Sequence, residues 1–446
     1  MEVYIFSAES ICGAERKFGG FQNMTKATSD IRAERGYADR NNRVNEAIAM
    51  KVPDRVPFQL FVGYFAGRYC DLPFSSVYYD SAKWRAANIR TITELEPDVY
   101  LIQTATLSGK ALEILGPLQM RWPGFNVPPN LSHQMVELEP MKAEDYEAFL
   151  SDPSDYMMRA YLPRVFESAA PMAKLPQFRS LLGPWGLPSC LAQFTRPEIA
   201  EMLEKFRKAA ELQSKWQSQD INFDEEMAGL GFPSYTASGM MAPAPFDMIS
   251  DFLRGMRGAM LDMYRLPDKL LEACDMLCKQ TTDRIMASPA PENGSVKRVF
   301  MALHRGSDGF MSLPQFEKFY WPTLKKVLLA LIDAGWTPCP FFEGTWDQRL
   351  EYIRELPKGK VLCHFAQTNP EKAKAILGGH LCFMIDVPGF LLKAGTVSEI
   401  EDYCKNLIRV CGKDGGFIMT ATCLDEAAPE NVKAMIDITK SYGRYS

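Results

Sequence analysis

The chain has 446 residues, 50 Lys and Arg against 55 Asp and Glu, a formal net charge of −5 at pH 7, and 47% hydrophobic residues. That length exceeds one small domain and fits a single elaborated α/β barrel or a barrel with an added N-terminal layer. The acidic balance, with no basic run interleaved with aromatics, argues against a nucleic-acid partner, and no apolar stretch reaches the roughly 20 residues a membrane helix needs. The opening MEVYIFSAESICGAERKFGG has no basic stretch ahead of its brief apolar patch, so no secretory signal is read there. Eleven scattered cysteines, an odd number, suit reduced thiols in the cytoplasm better than a disulfide frame. Twenty-four methionines act first as adaptable core filler, and they can also line a wide pocket.

In chain order, residues 1–40 read as an N-terminal extension, with Ala27–Arg40 polar and helical or partly ordered. From Asn41 the segment NNRVNEAIAMKVPDRVP reads as a helix ended by Pro53. Val56–Tyr64 follows as a first strand, Ala82–Leu95 as an amphipathic helix and Asp98–Ala105 as a second strand. An insertion occupies about 106–180, with a short strand pair near ALEILGPLQMRWPG and a helix broken at Asp152–Pro153. Helices continue to about 220, including PEIAEMLEKFRKAAELQSKWQ. Pro233–Pro243 reads as a strand entering a loop, and two helices then meet near Leu266–Pro267.

The last third is the most regular. Arg298–Arg305, Pro338–Gly344, Val361–Ala366, Leu381–Pro388 and Gly416–Cys423 are short apolar runs rich in β-formers, each followed by a helical stretch. Strands alternating with helices predict a (β/α)8 TIM-type barrel spanning 41–446, with the N-terminal helical extension before it and the insertion after its second strand. In such a barrel the polar residues ending the strands converge on one mouth, which makes an enzyme the default expectation.

The strand-end residues are His304, Glu343, His364, Asp386 and Cys423. His304, Glu343, His364 and Asp386 are the candidate acid–base groups. Glu343, between aromatics in FFEGTW, is expected to be poorly solvated and so raised in pKa, with a structural ion pair to Arg349 as the bland alternative. Asp386 needs a partner, either structural, such as Lys393, or a ligand. His364 and Cys423 are the metal candidates, since imidazole and thiolate suit zinc. Cys363 is adjacent to His364 and must face the other side of its strand. Arg305 and Asp308, in the polar loop HRGSDGFMS, are candidates for substrate binding, while Ser312 reads as a helix cap. Gln367 and Asn369 are further binding candidates, with helix capping as the alternative for that loop. Cys274 and Cys278 read as core thiols and His380 as exposed. His133 could reach the mouth only if the insertion folds over it.

The segments NRVNEAIAMKVPDRVPF, ALEILGPLQMRWPG and GGFIMTATCLDEAAPENVKAM together resemble the uroporphyrinogen decarboxylase superfamily, over about residues 41–443. The superfamily includes the decarboxylase itself and the corrinoid-dependent methyltransferases. The resemblance implies a (β/α)8 barrel. On the decarboxylase side, Ala66-Gly67-Arg68-Tyr69 is similar to the end of an arginine-bearing loop. The other loop arginine falls on Tyr64, and the catalytic aspartate falls near Thr104. Tyr64 and Arg68 therefore join the substrate-binding candidates.

On the methyltransferase side, His364 matches the histidine of a zinc-binding H-x-C motif and Cys423 the last cysteine ligand, while Ala366 stands where the motif has its own cysteine. Glu343 is the candidate to complete a zinc set of His364, Cys423 and Glu343. The expected function is transfer of a methyl group to or from a corrinoid (methylcobalamin) carried on a partner corrinoid protein, with a small methylated substrate or methyl acceptor. The alternatives are a decarboxylase-like lyase on a tetrapyrrole or other carboxylate and a non-catalytic tetrapyrrole- or corrinoid-binding protein. A homodimer is compatible with all three.

Overall fold

The computed structural model describes residues 19–102, 107–219, 222–237, 239–292 and 295–445, with side chains described from residue 31. Its architecture is α/β and predominantly helical, built on a five-stranded parallel sheet. One helix, Gly19–Ile48, runs unbroken through the end of the expected extension. No proline interrupts it before Pro53, and the chain leaves the helix at Met50, whose φ of 62° is left-handed.

Among the described residues nine strands follow in chain order. β1 (Gln59–Phe61) pairs in parallel with β2 (Val99–Leu101). In the insertion, β3 (Met120–Arg121) pairs antiparallel with β4 (Gln134–Met135). The main sheet is β5 (Arg298–Leu303), β6 (Thr337–Phe342), β7 (Leu362–Phe365), β8 (Cys382–Asp386) and β9 (Phe417–Thr420), in that order and all parallel. These five match the five apolar runs of the sequence. Single bridges carry the pairing further: Phe58 bridges Met419 beside β9, Tyr100 bridges Ser234 beside β2, and the Ala237 N–H donates to Arg298 O at 2.8 Å.

The expected helices Pro197–Gln217, Gly255–Arg265 and Pro267–Ala287 are present, and the helix break falls at Asp152, whose carboxylate caps the turn from Pro153. The expected strands over Val56–Tyr64 and Pro233–Pro243 are much shorter than their apolar patterns. The latter reduces to the bridge at Ser234, and Ser238 lies outside the described residues, as do residues 1–18.

Alternation along the strands separates two cores. Residues such as Phe58, Leu60, Cys363, Phe365 and Phe383 face the helices. Val99, Tyr235, Cys339, Leu362, Cys382, Met384 and Ile418 face inward, where Val44, Ala47 and Ile48 of the first helix pack against them. Buried Arg298 fixes that helix, donating to Asn41 Oδ1 (3.0 Å) and Asn45 Oδ1 (2.8 Å) as well as to Tyr235 O and Ser234 O. Asp98, wholly buried, accepts from Arg43, Arg55 and the Phe58 N–H, tying the same helix to β1. All ten described cysteines are free, with Cys274 and Cys278 buried as expected. No described helix is long and apolar enough to cross a membrane.

Candidate active site

Because the strands are parallel, the C-terminal ends of β5 to β9 share one edge, and the candidate residues divide there by what each side chain touches. His304 follows β5. Its Nδ1 lies 2.5 Å from Asp251 Oδ2 and its Nε2 lies 3.6 Å from Glu343 Oε2. The hydrogen bond to Asp251 holds the imidazole pKa above its ordinary value, against the opposing effect of burial. Beneath it, Asp247 accepts the backbone N–H groups of His304 (2.9 Å) and Arg305 (3.1 Å) and the Tyr320 hydroxyl (2.7 Å). Asp247 is fully enclosed, and burial, with the Asp251 charge beside it, pushes its carboxyl up to about 6. Arg305 is turned back onto Asp251 (2.9 Å) and the Ser250 hydroxyl.

Neither Asp247 nor Asp251 was among the sequence candidates. Both lie in PFDMISDFL, which enters a π-helical turn at Ile249–Leu253, a feature often found at functional sites. Two carboxylates four residues apart in an otherwise apolar helix were the available signal.

His364, on β7, is 1% exposed. Its Nε2 lies 2.7 Å from Asp386 Oδ1 at the end of β8, and its ring centroid lies 4.5 Å from that of Phe341. The other Asp386 oxygen accepts the Thr422 hydroxyl. The partner of Asp386 is thus His364; Lys393 pairs instead with Glu426. Cys423 is exposed, and partial burial, then the nearby charges of Asp386, Asp425 and Glu343, raise its thiol pKa. Cys363 points to the helix-side core, as strand alternation required.

Across the edge, buried Tyr64 donates or accepts at His133 Nδ1 (2.8 Å), and its backbone N–H donates to Asp425 Oδ1 (3.2 Å). The Ser132 hydroxyl also reaches Asp425 (2.5 Å). The insertion therefore does fold back to the strand ends, bringing His133, whose pKa burial lowers. Deeper, Thr420 donates to Gln59 Oε1, while the buried Gln59 Nε2 has no partner.

Other expectations are revised. Glu343 is not enclosed between aromatics: its side chain is 57% exposed, because Gly344, at φ 77°, turns the chain at the strand end. It does not pair with Arg349, which is buried against Asp308 (3.1 Å) and donates to Gly306 O and Met311 O. The second Asp308 oxygen accepts the Gln348 N–H (3.1 Å), so this carboxylate is committed to holding its loop. Asn369 caps the helix Pro370–Leu377 by accepting from Lys372 N–H. Gln367 is exposed, and its N–H donates to Gly344 O. Arg68 is exposed, with Nε on Ala427 O at 2.8 Å. His380 is half-buried and bonded to Leu356 O. Ser312 does form the expected capping box. Thr104 lies outside the described residues.

The zinc set of His364, Cys423 and Glu343 does not fit a metal here. Ala366 offers no thiolate, and among the described residues no group of three or more His, Cys, Asp or Glu could hold a metal ion.

What the geometry defines is an α/β protein with two imidazole–carboxylate couples on one edge of a parallel sheet. Residues 235–442 match the family model "Uroporphyrinogen decarboxylase (URO-D)". The superfamily resemblance read from the sequence holds over that stretch, which contains the whole main sheet. Among solved structures, a methyltransferase from Methanosarcina mazei is similar in fold, with a TM-score of 0.53 at 14% identity over 90% of this chain and 98% of that one. No curated protein sequence matches the chain.

Proposed function

We propose that this chain is a methyltransferase that moves a methyl group between a small methylated substrate and a corrinoid carried by a partner protein, and that its strands close into a (β/α)8 ring. The observation that carries the reading is the presence at one sheet edge of two imidazole–carboxylate couples, His304–Asp251 at 2.5 Å and His364–Asp386 at 2.7 Å. The bridges at Phe58–Met419 and Tyr100–Ser234, with the Ala237–Arg298 hydrogen bond, support closure into eight parallel staves. The likeness in fold to a protein titled methyltransferase supports the reaction class.

Methyl transfer changes the charge on a heteroatom, and a positioned acid or base lowers the cost. Asp251 holds Nδ1 of His304, so Nε2 is the nitrogen turned toward Glu343 and the open edge. From there it can give a proton to a leaving oxygen or nitrogen, or take one from an incoming acceptor. Asp247 fixes the backbone from which His304 projects. Cys423, its thiol raised, stays neutral and lines the site instead of acting as a thiolate. When docked, the partner's corrinoid supplies the cobalt that takes or gives the methyl group. Decarboxylation of a polycarboxylate draws less support, because Arg68 is tied to Ala427 O and Glu343, Asp386 and Asp425 contribute negative charge.

The test incubates the protein with reduced or methylated cobalamin, free and on corrinoid proteins, together with methylated amines, ethers and thiols. The cobalt absorption spectrum is expected to report transfer, and His304→Ala should slow it about 100-fold or more. No spectral change with any donor and corrinoid partner would overturn the proposal.

A further inference from the structure

The proposed reaction leaves the methylated substrate unnamed, and the strand-end surface has a composition that selects one. Three inward-facing phenylalanines form a connected aromatic floor. Phe61 and Phe300 have ring centroids 6.3 Å apart, and Phe300 and Phe341 are 6.2 Å apart and stacked. All three keep partial solvent exposure although they sit on paired strands. Phe341 continues the floor to the His364 ring.

Negative charge stands beside that floor. Glu343 is two residues beyond Phe341, hence on the same face of its strand, and its side chain is largely exposed. Asp386 is held by His364, whose ring meets Phe341, and Asp251 by His304 and Arg305, so the exposed charge beside the floor is that of Glu343. The nearby cations are committed: Arg305 folds onto Asp251, and Arg68 is held at Ala427 O. Below Phe61 on the same face, Gln59 presents a buried amide nitrogen without a partner, a polar group that no protein atom satisfies.

We propose that the ligand of this surface is a methylated ammonium cation, a class that rests on the methyl-transfer reading above for the significance of its methyl groups. A quaternary ammonium has no N–H to donate, so directed hydrogen bonds cannot recognise it. It is held by aromatic faces and by carboxylates set at a distance. An anionic thiol acceptor would meet Glu343 as a like charge. A neutral ether would gain nothing from the carboxylates. Demethylation of such a cation breaks its C–N bond with the electron pair left on nitrogen, so a neutral amine departs. The methyl carbon receives its new pair from the reduced cobalt of the partner's corrinoid.

The experiment is calorimetric titration of the full chain with choline and with its neutral carbon isostere, in which a tert-butyl group replaces the trimethylammonium. Choline should bind at least about tenfold more tightly than the isostere. Phe341→Leu and Glu343→Gln should each remove most of that difference. Glu343 is solvent-facing, so its variant tests the idea even where the Phe341 variant folds poorly. Equal binding of both probes, or binding of neither, overturns the inference. Choline binding with no methyl transfer to any corrinoid would sink the methyl-transfer reading and leave the cation site standing. Transfer from an ether or thiol without choline binding would do the reverse.

Discussion

The His364–Asp386 contact gives the most direct quantitative test of the site. The pair is nearly closed to solvent, with side chains 2% and 10% exposed, at 2.7 Å. Screening is therefore weak, and a hydrogen bond involving a charged group contributes about 1.5–3 kcal/mol. Asp386→Asn keeps the shape and an acceptor for Thr422 but removes the charge, and a loss of about 2 kcal/mol in unfolding free energy is expected. His364→Gln removes the ring from its contact with Phe341 and leaves the carboxylate without its partner, for an expected loss of about 3 kcal/mol. If the two act as a couple, the double variant should be less damaged than the sum of the singles, by about 2 kcal/mol. Urea unfolding of the four proteins at neutral pH, followed by far-UV circular dichroism, measures all terms of this cycle. A coupling under about 0.5 kcal/mol would refute the reasoning. The same series tests the metal argument: zinc should leave the native midpoint unchanged, because among the described residues no three ligands gather around His364.

Other outcomes follow from the charged groups nearby. Asp247 is raised in the folded chain to about 6 from 3.8, so its contribution is fully present below the lower value and is lost as pH rises through the upper one. About 3 kcal/mol of stability is at stake, and Asp247→Asn should flatten the stability profile between those pH values. His304 is also raised, so its contribution is present below the ordinary histidine range and fades as pH rises through its folded value. Proton NMR can follow the chain's four histidines, and Asp251→Asn should lower the His304 titration; an unchanged curve would dismiss the contact. Cys423, exposed but raised, should alkylate with iodoacetamide more slowly at neutral pH than a free thiol, and Asp386→Asn should speed it by removing a nearby negative charge.

The main sheet was legible because its strands are buried on both faces and read as continuous apolar runs between helical stretches. β1 and the Ser234 bridge were harder to bound, because their apolar patterns extend well beyond the residues that pair. Helix Gly19–Ile48 was divided at residue 40 by a polarity change, although nothing in its backbone chemistry requires a break there. In the site, the strand ends were found, but not where their side chains point. The exposure of Glu343 depends on the turn at Gly344, and the commitment of Asp308 depends on an arginine 41 positions away. Asp251 and His133 reach the edge from other parts of the fold, which strand periodicity alone could not reveal.

The first helix seals the inner side of the sheet at the end opposite the candidate site, through Val44, Ala47, Ile48 and the Arg298 hydrogen bonds. Its seat includes Ile418 of β9, far downstream of the helix in the sequence. An earlier segment thus waits for a much later one, and such long-range closure is slow. During synthesis its apolar stripe has no native berth, so chaperone demand should peak just before β9 emerges.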